Sequence, residues 1–123
     1  MQIENCKIQN DIAERLLEFG VETIKIVEKI GKTYAGRQIV GQLIRSATSA
    51  GANYEEACGA ESRSDFIHKL QIVLKELRES LYWLRLILKA SIISEQLGNP
   101  IIQEANELAN IIGKSIITAR KNK

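Results

Sequence analysis

The stretch SDFIHKLQIVLKELRESLYWLRLILKA, residues 64–90, decides the fold. Phe66, Leu70, Val73, Leu77, Leu81, Leu84 and Leu88 recur at steps of three and four, the period of an amphipathic helix. Ser64-Asp65 offers an N-cap. At 1.5 Å per residue such a helix is about 40 Å long.

Segments on either side repeat the pattern. Upstream, Ile12, Leu16, Phe19, Thr23, Val27 and Ile30 predict a helix over residues 10–30, with Glu14, Glu18, Glu22 and Glu28 off the stripe and Gly31 closing it. Residues 36–58 follow, with Val40, Leu43, Ala47, Gly51, Tyr54 and Cys58 on one stripe. The middle of that segment, SATSAGA at 46–52, is small enough for a neighbouring helix to approach closely. Downstream, Asn99-Pro100 reads as a cap followed by proline at the first helical position. Ile101, Ala105, Leu108, Ile112, Ser115 or Ile116, and Ala119 then form the last stripe. Short links make sequential helices antiparallel neighbours, and no strand-like alternation competes. The expectation is one domain over residues 1–123, an all-α, antiparallel up-down-up-down four-helix bundle.

Composition agrees with that reading. With 45% hydrophobic and 26% charged residues, the chain is neither disordered nor membrane-like. No run approaches the roughly 18 uncharged residues of a transmembrane helix. Glu4 and Asp11 lie where a secretory signal would be basic and then apolar. Cys6 and Cys58 have no His or second Cys at metal-ligand spacing, so reduced thiols are expected, with Cys58 in the core. These features together suggest a cytoplasmic protein with no membrane partner.

Catalytic patterns are missing. His68, the single histidine, has Ser64, Asp65, Ile72 and Glu61 within one or two helical turns, and no concave site is implied. Gly31, Gly36 and Gly41 are scattered and follow no strand, so they form no phosphate loop. Ser46, Ser49 and Ser62 lack a base at fixed spacing. The sequence predicts no enzyme, no cofactor and no metal.

The surface residues are more informative. Net charge is +2, but residues 1–61 carry seven Lys/Arg against nine Asp/Glu, and residues 62–123 carry ten against six. Antiparallel packing would gather Lys25, Lys29, Lys32, Arg37, Arg85 and Lys89 at one end of the bundle. The other end mixes Glu55, Glu56, Glu61 and Asp65 with Arg120, Lys121 and Lys123. Lysines complement helix C-termini, which accounts for part of the pattern. The remainder forms a basic rim suited to nucleic acid.

Residues 64–90 also carry a second stripe: Ile72, Glu76, Glu79, Trp83, Leu86 and Ala90. It reads as a self-association surface, since Trp is enriched at interface hot spots. A wide core stripe with Trp83 at its edge would give the same spacing. Arg45, Ser49, Ala52 and Glu56 share one face of the second helix. Together with Asn53, Glu76 and Glu79, Arg45 and Glu56 are candidates for polar contacts that fix register between helices or subunits.

The stretches IRSA (44–47), GANYEEA (51–57), AESRSDFIHKL (60–70), LKE (74–76) and ESLYWL (79–84) resemble the bacterial four helix bundle proteins, or 23S rRNA intervening sequence proteins. EANEL (104–108) and IGKS (112–115) extend the likeness into the last helix. The resemblance implies an antiparallel bundle that assembles into a ring, typically a homopentamer. A related group, the accessory variability proteins of diversity-generating retroelements, forms basic pentameric barrels that bind nucleic acid and a reverse transcriptase. The rRNA-insertion branch brings no biochemical activity with it. The expected function is a non-enzymatic homo-oligomeric bundle that binds RNA or DNA through its basic rim. The alternative is a scaffold or adaptor that binds another protein and touches no nucleic acid.

Overall fold

The structure, a computed structural model, describes residues 10–30 and 32–122. Among these residues four helices follow in order: α1 (Asn10–Val27), α2 (Tyr34–Cys58), α3 (Arg63–Lys89) and α4 (Glu95–Lys121). No strand occurs among the described residues. α1 packs on α2 and α4, α2 on α3, and α3 on α4, whereas diagonal helices do not meet.

Contacts give the direction. Arg45 meets Glu79, Ser46 meets Ser80, Ser49 meets Glu76 and Glu56 meets Lys69, so α3 numbering falls as α2 numbering rises. Gly51 lies against Leu16 and Gly20 against Thr48, which sets α1 antiparallel to α2. Arg63 donates to the Ala119 carbonyl, while Gly98 lies under Leu88 at the other end of the α3/α4 pair. The molecule is an up-down-up-down four-helix bundle.

The core is the shared inner side of these helices. Leu16, Phe19, Leu43, Tyr54, Leu70, Leu77, Leu84, Ile87, Leu108 and Ile112 are fully buried. α4 follows its expected stripe, with Ile116 inside and Ser115 half-buried. α3 is rotated slightly from expectation: Ile67, Ser80 and Ile87 face inward, and Leu81 and Leu88 are half-buried. The reason is steric. Ser46 and Ser80 are both fully buried with their hydroxyls 2.8 Å apart, and a Leu at that crossing would hold α2 and α3 apart. On α2 the buried set is Gly36, Leu43, Ser46, Ala47, Ala50, Tyr54 and Ala57. Val40, Gly51 and Cys58 sit at its edge, so the thiol expected in the core is half-buried. The small segment receives α1, where a methyl on Gly51 would lie 3.6 Å from the Leu16 carbonyl oxygen.

Helix ends follow local hydrogen bonding. α1 gives way to a turn after Val27, three residues short of Ile30, although Ile30 is still buried. Gly31, read as the terminator, lies outside the described residues, as do Glu4, Cys6 and Lys123. The α3 cap is Ser62, whose Oγ accepts the Asp65 N–H at 3.1 Å, in place of Ser64-Asp65. α4 starts at Glu95 because Ser94 caps it, accepting the Leu97 N–H at 3.3 Å. Pro100 therefore falls in the second turn, exposed and inside the helix, and Asn99-Pro100 is not the start.

The α3–α4 link is a Schellman motif. Ser91 adopts φ 59°, Ser91 N–H donates to the Leu88 carbonyl at 3.0 Å, and Ile92 N–H donates to Ile87 at 2.9 Å. A β-carbon in the left-handed region costs about 1–2 kcal/mol. Ser91→Gly should therefore stabilise the bundle by about 1 kcal/mol. Chemical denaturation checks this: a raised midpoint is expected, and an unchanged or lowered one would show that the backbone there is not left-handed.

Candidate functional surfaces

Polar residues line the seam where α2 and α3 meet. Arg45 donates to Glu79 Oε2 at 2.8 Å and to Gln42 Oε1 at 2.9 Å. Trp83 Nε1 donates to the same Glu79 oxygen at 3.2 Å. Asn53 donates to the Ser49 carbonyl at 2.9 Å and Ser49 Oγ to Glu76 Oε2 at 3.4 Å. Glu56 pairs with Lys69, a partner the sequence did not single out. Arg45, Asn53 and Glu56 thus all lie on this seam, beside Glu76, Glu79 and Trp83. Ile72 and Leu86 are half-buried on α3 as well.

Glu76 stands apart from its neighbours. It is only 6% exposed, yet its Oε1 has no donor among the described residues. An unsatisfied buried acceptor costs about 1–3 kcal/mol. Trp83 is half-buried against the core and stacks edge-on to exposed Tyr82 with ring centroids 5.2 Å apart.

The six cations of the basic rim are all exposed. Antiparallel packing places Lys25, Lys29, Lys32, Arg37, Arg85 and Lys89 toward one end of the bundle. Among the described residues, Lys25 alone of these has a carboxylate partner, Glu22 at 3.6 Å, and Arg37 donates to the Lys32 carbonyl at 3.1 Å. Lys25 and Lys29 also border an α1/α4 groove that contains Glu18, Glu22 and Glu104. Because α1 and α3 are diagonal, Lys25 and Lys29 are not on the same helix pair as Arg85 and Lys89.

Two features escaped the sequence reading. Arg15 clasps α1 to α4, with Nε on Glu104 Oε2 at 2.9 Å and Nη2 on Glu104 Oε1 at 2.6 Å and Glu107 Oε1 at 3.0 Å. The Glu104 hydrogen bonds, with Glu107 adding to them, raise the guanidinium pKa above its ordinary value despite partial desolvation. In addition, α3 and α4 border a groove of about 630 Å³ whose charged residues are Arg78, Lys114 and Arg120.

Residues 9–114, which contain this seam and most of the groove, match the family described as 23S rRNA-intervening sequence protein. The chain belongs to that family. Among solved structures, this intervening sequence protein is similar to a protein of unknown function from the S23 ribosomal protein family of Bacteroides thetaiotaomicron VPI-5482, determined by crystallography at 1.70 Å. The two are 33% identical with a TM-score of 0.76, over 85% of this chain and 97% of the other. No curated protein matches the chain.

Other candidate chemistry is sparse in this family member. His68 is exposed, and no three His, Cys, Asp or Glu side chains are grouped as metal ligands among the described residues. No described helix is long and apolar enough to cross a membrane. α1 exposes an apolar stripe of Leu17, Val21 and Ile24 beside the small residues Thr48, Gly51 and Ala52.

Proposed function

We propose that this chain is a non-enzymatic, self-assembling cytoplasmic bundle that binds RNA or DNA electrostatically, the ring being a homopentamer. The observation that carries nucleic-acid binding is the number of exposed cations outside the ion pairs of the described residues, at the rim and along α3 and α4. Lys29, Lys32, Arg85 and Lys89 are exposed and have no carboxylate partner among the described residues, so their charge is available to phosphate. One subunit offers little net attraction, and a ring multiplies both charge and contact number. Self-assembly is supported by the α2/α3 seam, where Trp83 is only half-buried and Glu76 Oε1 has no donor among the described residues.

The test is a titration of labelled single-stranded RNA at several salt concentrations. Affinity should fall steeply with salt, each neutralised phosphate contributing about 0.7 to the log–log slope. Changing Lys29, Lys32 and Lys89 to Glu should weaken binding several-fold. No binding of RNA or DNA at low salt would end this reading.

A protein scaffold without nucleic-acid contact is the second reading. It is favoured by the exposed stripe of Leu17, Val21 and Ile24, an apolar surface whose lining includes a single charged residue, Glu55.

A further inference from the structure

The geometry points to the α3/α4 groove, not the end of the bundle, as the principal track for a nucleic-acid backbone; this rests on the binding reading above and locates it. Arg78 comes from α3, and Lys114 and Arg120 from α4, so cations approach the groove from both walls. Among the described residues, no Asp or Glu lines it. All three cations are exposed, and none joins the ion pairs of the described residues, which engage Arg15, Lys25, Arg45 and Lys69.

The α1/α4 groove, which two of the six rim cations border, offers a contrast. There Lys25 and Lys29 share the lining with Glu18, Glu22 and Glu104, and a phosphate would meet three carboxylates. A second depression at the far end of α3/α4 continues the acid-free surface. It shares Lys114 and adds Arg63, whose Nη1 is held by the Ala119 carbonyl at 3.2 Å. The uneven charge of the two halves of the sequence thus becomes one basic face.

Chemistry narrows the ligand. Asn106, Asn110 and Gln71 supply amide donors and acceptors in the groove, and its floor is aliphatic. No aromatic ring lines it, so bases have no stacking platform. Such a site holds phosphate and sugar and is indifferent to base sequence. Lys114 and Arg120 are six residues apart, about 9 Å along α4. That separation lets the two cations engage different phosphates of one strand.

The experiment compares the intact protein with two triple variants, using labelled single-stranded RNA of mixed sequence. Arg78→Glu with Lys114→Glu and Arg120→Glu should lower affinity at least hundredfold, while the rim variant at Lys29, Lys32 and Lys89 should lose tenfold or less. Arg78→Gln with Lys114→Gln and Arg120→Gln should reduce the salt slope by about two, because three phosphate contacts go. That neutral variant decides the matter if charge reversal disturbs folding, which circular dichroism would register. Wild-type binding that both groove variants retain would overturn the groove and leave nucleic-acid binding standing. A wild-type protein that binds no RNA at low salt would overturn both.

Discussion

In the self-assembly proposed above, Trp83→Glu should leave single chains while helicity stays close to that of the wild type. The indole is half-buried on α3 and its Nε1 is held by Glu79. Glutamate at 83 would place a second carboxylate one turn from Glu79 and bring two negative charges into the contact surface. Like charges at that spacing are destabilising by a few tenths of a kcal/mol in an isolated helix, and far more when desolvated between subunits. The bundle itself should survive, because Leu77, Leu84 and Ile87 carry the inner side of α3. Sedimentation velocity and circular dichroism read the two effects separately. An unfolded variant would put the ring in the bundle core. An intact oligomer would move the interface elsewhere, with the α1 stripe of Leu17, Val21 and Ile24 the next surface to change.

Leu77→Ala should cost about 3–4 kcal/mol, the usual range for emptying a fully enclosed leucine site. Leu77 has no exposed surface and sits midway along the central helix α3. Native stability is commonly about 5–15 kcal/mol, so this one change removes about a fifth of it or more. Leu81 is half-buried, and Leu81→Ala should cost about half as much. Urea denaturation gives both values from the shift in midpoint at constant slope. Equal costs would mean that α3 faces the core with Leu81 and that its observed rotation is wrong.

That rotation shows where the sequence is readable. The heptad-like spacing of Phe66, Leu70, Val73, Leu77 and Leu84 identifies the inner side of α3 because large aliphatic residues recur at helical steps. It does not reveal that a serine takes the place of Leu81. Ser80 is inside because it faces Ser46 on another helix, 34 residues away. The start of α4 was misplaced for a local reason. Asn99-Pro100 is a good helix start, but Ser94 is five residues earlier and caps first. A proline in the second turn is tolerated on the exposed side.

The candidate surfaces divide in the same way. Arg45, Glu56, Glu76 and Glu79 were legible because each pair of them shares a helix face at helical spacing. Arg15 and Glu104 are 89 residues apart, and nothing in one sequence links them. The α3/α4 groove lies between these cases. The basic excess of residues 62–123 is visible in the chain, but its convergence on one acid-free groove depends on which faces of α3 and α4 meet.

Native mass spectrometry with single-stranded RNA at low salt tests the central claim most directly. The account predicts a complex of several protein chains, most simply five, carrying RNA, with RNA lost before the chains separate as salt rises. A mass of one chain without RNA under the same conditions would contradict it.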